Sequence, residues 1–317
     1  MKRTEMPSID ILFMGTAEFA VPSLRKLAAS GHRLISVVTG LDEPRGRGQK
    51  ILPTPVKAAA VELGLPVIQP ESLKDPPFAE TVRQFRPDLI VVVAFRILPP
   101  QVFEIPRLGS VNLHSSLLPK YRGAAPINWA IINGEKETGV TTFFIQQKVD
   151  TGNVIVQRST PIEENDTAGT LHDRLSLLGA DVLLETVDRI ASGTVQPQRQ
   201  DDRLASPAPK IFKDDCRIDW TRSADRIYNF VRGLSPYPCA WTTLDGVTYK
   251  IYAVRKTNER NASAPGTVVR ATSDAILIAV GDGRVIAVTD LQPASRKRMS
   301  TAEFLRGHDI GHMKRFG

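Results

Sequence analysis

The sequence predicts an α/β protein in two parts: a Rossmann-like, doubly wound domain over residues 1–192 and a small OB-like β-barrel over 213–317, joined by a linker at 193–212. Three observations predict it. Before residue 192, apolar β-rich runs alternate with stretches of helical period, the pattern of a parallel sheet covered by helices. From Ser192 the chain turns polar and proline-containing, SGTVQPQRQDDRLASPAPK, without a strong period. Beyond it, short strand-like runs flank tight turn signals, as in small barrels, and an OB-like barrel is a common oligonucleotide-binding form.

Taken in order, residues 9–15 read as a buried first strand and 17–30 as the helix after it. Residues 33–39 form a second strand, and 56–63 lie on a helix. The run LIVVVA at 89–94 is so uniformly apolar that it predicts a central parallel strand covered on both faces. Residues 111–114, 141–146 and 153–157 supply further strands. Over 170–190, Leu171, Leu175, Leu178, Val182, Leu183, Val187 and Ile190 recur at helical spacing. After the linker, 223–232 predicts a short helix with Ile227, Phe230 and Val231 on its apolar side. Strands at 240–244 and 247–254 flank Asp245-Gly246, the strongest short hairpin signal. Strands at 275–280 and 285–289 flank Gly281-Asp282-Gly283.

Composition bounds the function. A hydrophobic fraction of 42% with 24% charged residues describes an ordinary soluble chain. No apolar run approaches the roughly 18 residues of a membrane span, so no membrane partner is expected. The early positive charge of MKRTEMPSID is followed by polar residues rather than an apolar stretch, which argues against secretion. Two cysteines are too few for a disulfide framework or a zinc site, and they fit a reducing cytoplasm. Charge is unevenly placed: residues 1–200 carry 22 Lys and Arg against 21 Asp and Glu, and residues 201–317 carry 19 against 13. The basic last third either meets a polyanion or is a solvated surface.

The richest stretch is VNLHSSLLPKYRG at 111–123. Residues two apart on a strand share a face, so Asn112 and His114 project together, at the carboxyl end where doubly wound sheets bind ligands. Asp150, in VDTGN, stands at a turn that Gly152 permits. A carboxylate beside an imidazole fixes its orientation and favours its charged form. With an amide donor alongside, such a pair stabilises an oxyanion and moves the proton of an attacking amine, with no nucleophile on the protein. The plainer reading is a strand-end His and Asn satisfied by local hydrogen bonds. Ser115 and Ser116 adjoin His114, but the chain has no G-x-S-x-G elbow, which argues against a serine hydrolase. Gly15-Thr16-Ala17 is not a dinucleotide fingerprint, and His308 and His312 lack a carboxylate or cysteine cluster, so no metal is expected. His32 and His172 carry no partner pattern.

The stretch VNLHSSLLPKYRGAAPINWAIINGEKETGVT, followed by VDTGN, closely resembles the 10-formyltetrahydrofolate-dependent formyltransferases. The likeness runs almost end to end, through ILFMGTAEFAVPSL, LDEPRGRGQKILPTPVKAAA, APKIFKDDCRIDW and LQPASRKRMS. The Asn-x-His…Asp core is shared with sugar and glycinamide formyltransferases, so it implies the reaction alone. The basic loop and basic last third resemble those of members that act on initiator Met-tRNA. By that resemblance the donor is 10-formyltetrahydrofolate, and the acceptor is the methionine α-amino group. Asn112 and His114 would then hold and protonate the carbonyl oxygen, and Asp150 would orient His114 and assist proton transfer.

The same resemblance places Ser116, Leu117, Leu118 and Pro119 in a folate-contacting loop, with Phe95, Ile97 and Leu98 walling the pterin pocket. It places Arg45, Arg47 and Lys50 in a tRNA-contacting loop, with Arg47 entering the acceptor end, and assigns Lys210, Lys213, Arg296, Lys297 and Arg298 to phosphate, a salt-dependent contact largely blind to sequence. A cytoplasmic monomer is expected. The chain departs from the family pattern at Phe95-Arg96, where Tyr-Gly is common, and at Gln147-Lys148, where an acidic residue and a glycine are common. Neither departure touches the three catalytic positions. Two alternatives remain: formylation of a nucleotide-linked amino sugar, which has no use for the basic loop, and a non-catalytic tRNA-binding module.

Overall fold

In the computed structural model, residues 7–45, 50–308, 310 and 314–317 are described. Their order starts from β1 (Asp10–Gly15), where Ile11, Leu12, Phe13 and Met14 are fully buried, as a strand covered on both faces requires. The described residues form two compact units. The first comprises those of Met1–Gly123, Thr138–Thr160 and His172–Pro207, and the second those of Ala124–Glu137, Pro161–Leu171 and Ala208–Gly317.

In the first unit, β1 is followed by β2 (Arg33–Val38), β3 (Glu43–Arg45), β4 (Lys50–Leu52), β5 (Val67–Ile68), β6 (Leu89–Val93), β7 (Ser110–His114), β8 (Glu137–Phe144) and β9 (Val154–Pro161). Seven of these make one sheet in the order β5-β2-β1-β6-β7-β8-β9. Strands β5, β2, β1, β6 and β7 run parallel, and β8 is antiparallel to β7. The chain moves outward from β1 through β2 to β5, then returns to β6 on the other side. The strand order therefore reverses between β1 and β6, and the carboxyl ends there form the crevice in which such sheets bind ligands. All five residues of β6 are buried, as its apolar run predicts.

Helices cover the sheet. The predicted helix at 17–30 is a 3-10 turn (Glu18–Ala20) leading into α1 (Val21–Ala28), whose first turn holds Pro22. Thr54 caps α2 (Pro55–Glu62) by accepting from the Lys57 amide. In this unit two helices escape a periodicity reading, α3 (Pro76–Phe85) and the single turn α4 (Pro100–Phe103), and both open on prolines. From α3, Phe78, Ala79 and Val82 pack with Leu12, Met14, Ile90 and Val92 of the sheet. Within the basic segment expected as a loop, β3 and β4 pair antiparallel as the two arms of a hairpin, with Pro44 opposite Ile51. Residues 193–207, expected as linker, belong to the first unit: Gln198 bridges to Val154, and Pro207 to Arg122. Neighbouring main chain meets the Gln198 backbone and the Gln200 amide group, and Asp202–Leu204 form a short 3-10 helix.

The second unit contains α5 (Pro126–Ile132), the start of α6 (Ala168–Ala191), α7 (Ala224–Leu234) and α8 (Thr301–Leu305). Its sheet has β10 (Ala240–Leu244), β11 (Val247–Arg260), β12 (Val268–Ala271), β13 (Ile276–Ala279), β14 (Arg284–Pro293) and β15 (Met299–Ser300). The antiparallel order is β10-β11-β14-β13-β12, with β15 on β14. Leu244 pairs with Val247 around a two-residue turn, and Asp245 and Gly246 both take positive φ (51° and 77°), as a type I′ hairpin demands. Bulges after Ile251 and Lys256 bend the 14-residue β11. Ile227, Val231 and Leu234 of α7 pack into a core with Trp220, Ile251, Ile278 and Ile286, and Phe230 lies at its edge. Among the described residues no helix is long and apolar enough to cross a membrane.

Candidate active site

The β7 register puts Asn112 beside Val92 of β6 and Phe143 of β8, and His114 beside Thr141. Asn112 is half-buried, and among the described residues its amide makes no hydrogen bond, so it is free to bind a ligand. His114 is only 8% exposed. Its Nε2 lies 2.8 Å from the Tyr121 carbonyl oxygen. A carbonyl only accepts, so Nε2 carries the hydrogen and Nδ1 is the nitrogen left to gain or lose a proton. Nδ1 faces Asp150 Oδ2 at 3.9 Å. That is too long for a hydrogen bond. The Tyr121 main chain holds Nε2, and Asp150 faces Nδ1 at ion-pair rather than hydrogen-bond distance.

Asp150 sits in the β8–β9 connection with φ at 55°, a left-handed conformation that Asp tolerates better than most residues. Its Oδ2 accepts from the Gly123 amide at 2.8 Å, and its side chain is 11% exposed. Tyr121 (φ 62°) and Ala94 (φ 47°), at the end of β6, are also left-handed, so unfavourable backbone clusters where the ligand crevice lies. Gly152 is required by close approach: a Cβ there would lie 1.6 Å from the Phe144 carbonyl oxygen.

The turn is held by a residue that sequence reasoning passed over. Gln200 Nε2 donates to the carbonyls of Asp150 (2.9 Å) and Gly152 (2.8 Å). Its Oε1 accepts from Arg122 Nε (3.1 Å) and Nη2 (2.7 Å). Arg122 also pairs with Asp202 at 2.8 Å, and this hydrogen bond holds the Asp202 carboxyl below the usual carboxylate range. Ser206 Oγ accepts from the Tyr121 amide at 2.9 Å. An aperiodic polar stretch gives no pattern from which such roles could be read.

The loop after β7 is firmly built. Ser116 is buried, and its Oγ donates to the Lys120 carbonyl, so its hydroxyl serves the loop. Thr141 Oγ1 donates to the Ser116 carbonyl, and Gln157 Nε2 donates to the Leu118 carbonyl. Leu117 and Pro119 are partly exposed, and Leu118 is buried. After β6, Leu98 is core and Phe95 packs on it, while Ile97 is 74% exposed. Arg96 turns aside, donating to the Pro70 and Glu71 carbonyls at 2.8 and 2.9 Å.

The basic residues are unequal. Arg47 lies outside the described residues, as do the side chains of Arg45 and Lys50, which pair across the hairpin through their main chain. In the second unit, Lys210, Lys213, Arg296 and Lys297 are exposed. Lys210 stands over the ring of Phe212, itself 61% exposed. Arg298 is already engaged, bonding Asp290 at 2.7 Å and lying 4.3 Å over Tyr252, and the hydrogen bond to Asp290 raises its pKa. No group of three or more potential metal-ligating side chains occurs among the described residues.

An amide and an imidazole at the carboxyl end of β7, with a carboxylate facing the imidazole, are the equipment of acyl-type transfer to an amine. Residues 9–187 match the formyl transferase family, and residues 210–309 match the formyl transferase C-terminal domain, so the chain belongs to the formyl transferase family. It is 49% identical to the methionyl-tRNA formyltransferase of Bacteroides thetaiotaomicron, over 94% of this chain and 95% of that one. The methionyl-tRNA formyltransferase of Chlorobium luteolum is 51% identical over 94% of this chain and 96% of its own. In fold, the chain is similar to the N-formyltransferase of Helicobacter canadensis solved with folinic acid and dTDP-3-aminofucose. That likeness has a TM-score of 0.64 and 24% identity, covering 88% of this chain and 98% of that one.

Proposed function

We propose that this enzyme transfers the formyl group of 10-formyltetrahydrofolate to the α-amino group of methionine on initiator Met-tRNA, giving formylmethionyl-tRNA and tetrahydrofolate for translation initiation. The observation that carries the chemistry is the 3.9 Å gap between His114 Nδ1 and Asp150 Oδ2 beside the unpartnered Asn112 amide. One amine nitrogen set beside that pair can lie at about 2.8 Å from both atoms. The acceptor follows the two methionyl-tRNA formyltransferase relatives, each similar over nearly its whole length. Folate fits the apolar rim after β6, where half-buried Phe95 and exposed Ile97 suit the flat faces of a pterin and Arg96 is folded away.

When bound, the folate supplies an electrophilic formyl carbon held on nitrogen. Asn112 Nδ2 donates to the formyl oxygen as negative charge develops there. His114 Nδ1, backed by Asp150, takes the proton that the amine sheds as its bond to the formyl carbon forms. The resulting imidazolium is stabilised by the facing carboxylate. The pair then returns the proton to the folate nitrogen as that nitrogen's bond to the formyl carbon breaks. One proton passes from amine to leaving group, and no protein atom is covalently modified.

The test supplies 10-formyltetrahydrofolate with either initiator Met-tRNA or a nucleotide-linked amino sugar and follows formylation of each. Formylation of Met-tRNA alone is expected, and formylation of the sugar alone overturns the proposal. Lys210, Lys213 and Lys297 are assigned to phosphate. Changing all three to alanine should flatten the dependence of log affinity on log salt by about two to three units. An unchanged slope in a binding titration removes them from the tRNA contact. A cytoplasmic setting suits the two buried free thiols, since burial pushes Cys239 up to about 11 and also raises Cys216, keeping both unreactive.

A further inference from the structure

We infer that Gln200 is a positioning residue for Asp150, and that the segment around it is part of the catalytic machinery rather than a tether. The inference rests on the roles proposed above for Asn112, His114 and Asp150. Gln200 is 7% exposed, and every hydrogen-bonding capacity of its amide is used: two donors to the Asp150 and Gly152 carbonyls, two acceptor bonds from Arg122. A buried amide satisfied on all four counts admits one orientation. Its donors grip the main chain on both sides of Thr151, at a turn whose first residue is in the left-handed region. Such a conformation persists only where the surroundings over-determine it.

The other end of the network reaches the same carboxylate. Arg122, bonded to Gln200 Oε1, immediately precedes Gly123, whose amide donates to Asp150 Oδ2. The Arg122 amide is held by the Ser206 carbonyl at 2.9 Å, and the Tyr121 amide by Ser206 Oγ. The main chain and the carboxylate of Asp150 are thus tied to one frame, and Tyr121, the hydrogen-bond partner of His114, is tied to it as well. Gln200 touches no reacting atom. Its role is to keep the 3.9 Å gap at a width one amine nitrogen can bridge.

A double-mutant cycle tests this. Gln200→Ala should lower kcat by about 10- to 100-fold, with KM for both substrates within about twofold, because the loss concerns geometry used in the transition state. Gln200→Glu should be no better, since a carboxylate offers no donor to the two carbonyls. In an Asp150→Asn background, Gln200→Ala should change kcat by less than about twofold, because the group it positions is already gone. If the two losses multiply instead, or if Gln200→Ala keeps full kcat, the inference is overturned. Should Gln200→Ala fail to fold, Arg122→Lys, which removes the two-donor fork on Oε1, runs the same cycle. Wild-type turnover in Asp150→Asn alone overturns the site assignment, not the role of Gln200, so the two failures are distinguishable.

Discussion

Asp150→Asn should slow formyl transfer by about 10³-fold, within the range for crippling proton transfer in the transition state, because His114 loses the charge that supports it. The substitution is a clean probe. Asparagine keeps an oxygen for the Gly123 amide and tolerates the left-handed backbone nearly as well as aspartate. What it removes is the negative charge facing His114 Nδ1. Without that charge, the imidazolium formed when the amine gives up its proton loses its counter-ion in a nearly buried setting. Single-turnover rates with both substrates saturating, beside a thermal melt, separate chemistry from folding. A rate within threefold of wild type would take Asp150 out of the proton path.

Gly152→Ala should cost at least ~3 kcal/mol of folding stability, in the range reserved for backbone clashes and buried disruptions. The added methyl would lie 1.6 Å from the Phe144 carbonyl oxygen and 2.8 Å from its carbon, and a main-chain group at the end of β8 cannot swing aside as a side chain can. Relief requires moving the turn that carries Asp150, so activity should fall with stability. Gly31→Ala is the control, because nothing lies within 4 Å of the added Cβ. Urea unfolding of both variants decides the matter, and equal midpoints would show that the turn yields cheaply.

The sequence and the structure agree most closely where one physical cause sets the outcome. Two-sided burial makes β6 uniformly apolar, and a type I′ turn makes Asp245-Gly246 almost obligatory between its strands. Asn112 and His114 stand out because polar residues on a strand end answer to something other than the sheet. The β3–β4 hairpin is hidden because three-residue strands are shorter than any periodicity window, and α4 likewise because it is a single turn. Gln200 is hidden for a deeper reason: its donors go to main-chain carbonyls far away in sequence, which no side-chain pattern encodes. The same holds for the tautomer of His114, fixed by a carbonyl oxygen.

That carbonyl has an evolutionary consequence. The atom that sets which nitrogen of His114 carries the hydrogen belongs to the main chain of Tyr121, and every amino acid brings the same oxygen. No codon change at position 121 can delete it. A mutation can only move it, by altering how residues 119–123 are bent. Inheritance of this part of the proton chemistry is therefore written in a curve of the backbone, and a change of letter at position 121 leaves it intact for as long as the curve survives.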